Sequence, residues 1–128
     1  MAIFAVGAYY DEDVSQEFID NGIAGPGWGE DDAPELHQFI KSLKVGDIIY
    51  IKAAAFGAPI TVKAIGIILD NVIVTDSTIV SIGRNVKWVV TDKFTIEKQI
   101  EKNNVRSNTM YEEFHPEVQK IIIDKLFN

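Results

Sequence analysis

Residues 2–8, Ala2-Ile3-Phe4-Ala5-Val6-Gly7-Ala8, are apolar at every position until an acidic triplet, Asp11-Glu12-Asp13, interrupts them. Such a run, too short for a helix and apolar on both parities, predicts a strand buried on both faces. Over 13–20 the spacing shifts to Val14, Phe18 and Ile19, one face of a short helix, with Gly22 where a left-handed C-terminal cap belongs. Residues 22–29 hold four glycines and a proline and predict a constrained loop. A second helix is predicted from Pro34, with Asp32 as its cap and Leu36, Phe39, Ile40 and Leu43 facing inward.

After a turn at Val45-Gly46-Asp47 the pattern becomes β-like. Strands are predicted at Ile48–Ile51 and Ile60–Leu69, then, beyond a tight turn at Asp70-Asn71, at Val72–Val74, Thr78–Val80, Asn85–Thr91 and Phe94–Ile96. Pro116 opens a closing helix that turns Val118, Ile121, Ile122, Leu126 and Phe127 toward the sheet. The order β–α–α–β–β–β–β–α implies an α+β fold, a small curved β-sheet or barrel flanked by two or three helices. No repeat or linker divides it, so residues 1–128 are expected to form a single domain.

The absence of cysteine excludes disulfides, thiolate metal sites and cysteine nucleophiles, and fits a reducing compartment. The apolar start lacks a basic leader region, and no uncharged run approaches the roughly 18 residues that cross a bilayer. The expectation is a cytoplasmic protein without a membrane partner.

Charge is unevenly spread within the net −7: residues 1–40 carry −9 with no Lys or Arg, 41–106 carry +4, and 107–128 carry −2. A phosphate backbone therefore has at most one favourable face, supplied by the middle segment.

Catalytic and metal patterns are missing. His37 and His115 are the only histidines, and neither belongs to H-E-x-x-H or H-x-x-E-H, so no metal site is expected. His115, directly before Pro116, reads as a residue opening the last helix. There is no G-x-S-x-G elbow, and Gly25-Pro26-Gly27-Trp28-Gly29 is not set in a βαβ unit as a dinucleotide loop requires. No enzymatic activity and no cofactor are expected. Were there a reaction, Glu35, Asp47 and His37 would be the residues to test.

The aromatic residues are more suggestive. Trp28 lies on the glycine-rich loop with Gly27, and Trp88 lies in Arg84-Asn85-Val86-Lys87-Trp88-Val89. Two indoles beside small or basic residues suit a flat ring, and stacking contributes about 1–3 kcal/mol per base. Both residues are equally suited to anchoring the core. Arg106-Ser107-Asn108-Thr109-Met110-Tyr111 gathers donors and acceptors fit for a pocket edge, or for a capped turn before the last helix.

In that order, the Gly22–Trp28 loop, Val45-Gly46-Asp47-Ile48-Ile49, Ile65-Gly66-Ile67-Ile68, Arg84–Val89 and Arg106–Tyr111 with Pro116-Glu117-Val118 resemble the EVE-like members of the PUA-like superfamily. The likeness is to the N-terminal module of Mrr-type restriction endonucleases, and it spans roughly residues 3–127. Asn108 stands where that module's R-x-G-T-x-Y segment has glycine. The resemblance implies a small barrel whose pocket accepts a flipped or single-stranded base, often a modified one. It implies Trp28 and Trp88 as walls, and Arg106, Asn108 and Thr109 as groups reading the base edge or a phosphate.

Two kinds of binding module follow. One is a reader of a nucleobase or modified nucleotide, with Arg84, Lys87 and Arg106 as a basic rim and Gly27, Trp28, Trp88, Asn108, Thr109 and Tyr111 around the ligand. The other is an acidic protein-interaction module, engaging a basic protein or imitating nucleic acid through residues 11–13 and 30–35.

Overall fold

The computed structural model describes residues 2–8, 13–53, 59–96 and 110–128. In chain order it contains β1 (Ile3–Val6), α1 (Ser15–Asn21), β2 (Ile23–Ala24), α2 (Pro34–Ser42), β3 (Ile48–Ala53), β4 (Ile60–Val74), β5 (Gly83–Val90), β6 (Phe94–Ile96), β7 (Met110–Glu112) and α3 (Pro116–Phe127). The strands make one mixed sheet, ordered β2-β5-β4-β3-β1-β7, with β6 paired to β4. The sheet curls strongly into a half-barrel, so the α+β architecture is the one expected. No helix among the described residues is long and apolar enough to cross a membrane.

The doubly apolar β1 has a direct cause. Phe4 and Val6 join one core with Phe18 of α1 and Ile40 of α2, while Ile3 and Ala5 join another with Val118 and Ile122 of α3. β3, parallel to β1, divides likewise: Ile49 and Ile51 face the first core, Ile48 and Tyr50 the second. Helices thus cover both sheet faces, and the central strands can spare no polar position.

Asp47 joins these strands at one end. Its carboxylate accepts hydrogen bonds from Ala2 N (3.1 Å) and Lys44 N (2.8 Å), and Gly46 takes the turn at φ +90°. α1 ends as its sequence predicts, with Gly22 left-handed at φ +62°.

Five details differ from expectation. Ala33, not Asp32, precedes α2, without a side-chain cap; Asp32 N and Ala33 N both bond Gly29 O, which closes the turn through the main chain instead. Asp70-Asn71 is not a hairpin turn but a bulge within the continuous 15-residue β4, where Ile68 and Ile73 pair with Val86 and Arg84. The Asp70 carboxylate, accepting from Val72 N and Asn85 Nδ2, holds that bulge, so the turn chemistry is local and the strand continues. Thr78–Val80 form no strand, because Ser77 Oγ accepts from Ile79 N (3.0 Å) and turns the chain. Short β2 and β7 occur where loops are predicted. Phe127 is exposed rather than packed on the sheet, whereas Val118 and Ile122 are fully buried.

Candidate functional site

The glycine-rich loop is bound tightly to the chain just before β5. A Cβ on Gly25 would come within 2.0 Å of Ile82 O, so only glycine allows this backbone-to-backbone approach. Pro26 O accepts from Ser81 N (3.0 Å), Trp28 O accepts from His37 Nε2 (2.8 Å), and the Ser81 hydroxyl, with a single hydrogen, lies within bonding distance of both carbonyls. From this fixed backbone the Trp28 side chain projects outward, 56% exposed. Gly27 beside it is exposed, as are Glu30, Asp31, Asp32 and Glu35. Glu30 faces Lys41 at 3.9 Å, a distance at which a surface pair contributes little.

The buried His37 ring approaches Ser81 Oγ at 3.3 Å, which on distance alone suggests a nucleophile and its base. The proton inventory excludes that role for this nitrogen. Nε2 lies 2.8 Å from a carbonyl oxygen that can only accept, so it carries hydrogen and has no lone pair for the serine. His37 and Ser81 are loop anchors. Asp47 is occupied by two main-chain amides, and Glu35 is exposed.

Trp88 has a different position. It is half-buried against the first core, and its indole N–H donates to Phe18 O (2.9 Å) at the end of α1. Opposite it in the sheet lies Gly66, where a Cβ would meet the indole at 2.8 Å, which explains the glycine within the Ile65–Ile68 run. Trp88 therefore ties β5 to α1, with the indole packed on Gly66 of β4.

The two indoles are not brought together. Trp28 is held at Ser81, before β5 begins, and Trp88 lies five residues past Gly83, roughly 16 Å along the strand. β2 runs antiparallel to β5, leading the chain from α1 away from Trp88 toward the loop. A ring held between both tryptophans has no support in this arrangement.

Arg84 also departs from its expected place on a basic rim. It is 1% exposed, and its guanidinium donates to Ile40 O (3.0 Å) and Leu43 O at the end of α2 and to Asp70 O (2.7 Å) in the β4 bulge. Burial lowers its pKa, opposed by the charges of Asp70 and Asp47. Its fork closes a helix end against a bulge, and it is not available to a phosphate. Lys87 alone of the expected rim is exposed among the described residues. Arg106, Asn108 and Thr109 lie outside the described residues.

Tyr111 belongs to a polar group that sequence reasoning overlooked. It is nearly buried in β7, with Lys52 Nζ at its hydroxyl and 4.7 Å from its ring centre. Tyr50 OH donates to Glu113 Oε1 (2.6 Å) inside the second core. Burial, with the neighbouring Tyr111 and the Glu113 bond and charge, raises the Tyr50 phenol far above its ordinary range. The available signal was a lone tyrosine in an apolar β3 run and a carboxylate two residues before a helix-opening His-Pro. His115 does open α3, its Nδ1 accepting from Glu117 N (3.1 Å).

No group of three or more histidine or carboxylate side chains among the described residues is placed to hold a metal ion. No protein-family model matches the chain, and no curated protein matches it.

Proposed function

We propose that the chain is a non-catalytic binding module that engages a basic protein segment through Trp28 and the acidic shoulder following it. The supporting observation is an exposed indole on a loop fixed by His37 and Ser81, with Glu30, Asp31, Asp32 and Glu35 exposed in the next seven residues. An indole face attracts a lysine or arginine by about 0.5–2 kcal/mol, and nearby carboxylates add attraction of the same sign. Because the loop backbone is already ordered, less freedom is lost on binding. Tryptophan is also the residue type most often found to dominate interface energies.

For the nucleobase reading, with the EVE-like resemblance behind it, the described residues offer Trp28 and Gly27 on the loop and Lys87 in β5 as exposed groups, while Trp88 and Arg84 are engaged within the fold. Stacking on the Trp28 indole would bring a strand's phosphates beside four carboxylates, an arrangement that costs affinity.

Fluorescence titration with a lysine- and arginine-rich peptide and, separately, a single-stranded oligonucleotide distinguishes the readings. The expected result is a peptide response that weakens with salt and is lost in Trp28→Ala. A response to the oligonucleotide but not the peptide refutes the protein-binding reading and supports base stacking. Silence toward both refutes both.

A further inference from the structure

We propose that two copies of this chain pair about a two-fold axis through the α3 side of β4 and β5, at the end of the sheet that α3 does not cover. Register fixes which side chains lie there. Ile67 pairs with Ile48, a second-core residue, and with Lys87 of β5, so all three point to the α3 side. Alternation puts Leu69 on that side too. Beyond the bulge Ile73 turns to the first core, which leaves Val72 on the α3 side. Val118 and Ile122 of α3 pack with Ile48 and Ile65 in the second core. Ile67, Leu69 and Val72 belong to neither core, and Leu69 and Val72 are 56% and 54% exposed. Single exposed aliphatics need no explanation, but neighbours along one strand face form a patch.

Charge favours a second copy as the occupant. The patch carries both signs. Lys87, exposed beside Ile67, joins no ion pair among the described residues. The Asp70 carboxylate accepts from Asn85 Nδ2 (3.1 Å) and Val72 N (3.0 Å) and keeps further lone pairs. A two-fold interface must be self-complementary. An axis crossing the strands at Leu69 lays this residue on its counterpart and sets each Lys87 against Asp70 of the other copy.

The acidic side stays clear of such a contact. Exposed Glu17, Asp20, Glu30, Asp31, Asp32 and Glu35 belong to α1, α2 and the loop between them. Those helices pack on the opposite face, through Phe18 and Ile40 of the first core. Two chains of net charge −7 therefore meet with their acidic sides outward. The Trp28 loop travels with α2, so pairing would present that loop twice, and the inference holds whether or not Trp28 binds a basic segment.

Sedimentation velocity on the full chain tests this over about 10 µM to 1 mM, the range suited to a patch smaller than a standard interface. The wild type is expected to pass from monomer to dimer and stop there, because a two-fold contact closes. Leu69→Asp should stay monomeric. Phe114→Asp, which alters a comparably exposed residue before α3, should associate like wild type. Lys87→Glu should weaken pairing at least about tenfold by placing like charges together, while Lys41→Glu, the same change on α2, should not. A wild type monomeric throughout, a dimer unaltered by Leu69→Asp, or equal weakening by the two lysine variants overturns the proposal. Association lost in Trp28→Ala but kept in Leu69→Asp also overturns it and moves the contact to the acidic shoulder. A monomer that binds the dye ANS, with binding lost in Leu69→Asp, gives the face to a different apolar partner and overturns self-pairing. If Leu69→Asp does not fold, the lysine variants decide alone: weakening confined to Lys87→Glu supports the proposal, and identical behaviour overturns it.

Discussion

Replacing Arg84 with methionine separates a structural arginine from a ligand-binding one. Methionine keeps most of the buried hydrocarbon but leaves Ile40 O, Leu43 O and Asp70 O without the guanidinium. Ile40 O retains a weak bond from Leu43 N (3.4 Å), so the main losses fall on Leu43 and Asp70. Each buried carbonyl left unpaired costs about 1–3 kcal/mol. Part of this is offset, because the substitution also removes a buried cation whose Nε has no partner among the described residues. The expected net loss is about 2–4 kcal/mol, a fall of roughly 10 °C in Tm for a domain of this size. Urea unfolding followed by far-ultraviolet circular dichroism measures it, with Lys87→Met as the exposed control. Wild-type stability in Arg84→Met would refute the assignment and return this residue to the candidate ligand contacts.

Three further outcomes follow from the geometry. Gly25→Ala places a methyl group against Ile82 O and should cost about 2 kcal/mol or more in urea unfolding; a loss under about 0.5 kcal/mol would show that the loop yields freely. The Tyr50 phenol is raised above its ordinary 10.0, so its contribution is complete below pH 10 and declines above it as the unfolded chain ionises. Stability measured above pH 10 should fall more steeply in wild type than in Tyr50→Phe, approaching about 1.4 kcal/mol per pH unit, and parallel curves would contradict this. Trp28→Ala should change stability by less than about 0.5 kcal/mol while Trp88→Ala costs about 3–5 kcal/mol, and equal losses would contradict their separate placement.

Much of the fold was legible because its signals are local. The doubly apolar 2–8 run, the Gly22 cap, the Pro34 and Pro116 helix starts and the β-rich middle each depend on a few adjacent residues. The departures arise where distant partners decide. Asp70 and Asn71 are turn formers, yet Asn85 and Arg84 of another strand hold them in a bulge. Two residues of β2 and three of β7 are too short to show a period.

The candidate site was legible only in part. Trp28 on its glycine loop was visible, but its anchors His37 and Ser81 come from elsewhere in the chain. Arg84 reads as a surface cation by residue type alone. Three carbonyl groups, contributed by α2 and β4, make it an interior residue.

β4 runs from its pairing with β6 at Ile60 to its pairing with β5 at Val74, and β3 lies along its other edge. Among the described residues, β5 with β2 beyond it, and β6, reach the rest of the sheet through this strand. β4 is thus the spine of the described sheet, and the β5 side keeps its place only while β4 stays paired with β3. Lengthening of the chain during evolution would find room outside this spine, as at exposed Thr75-Asp76, before it found room within.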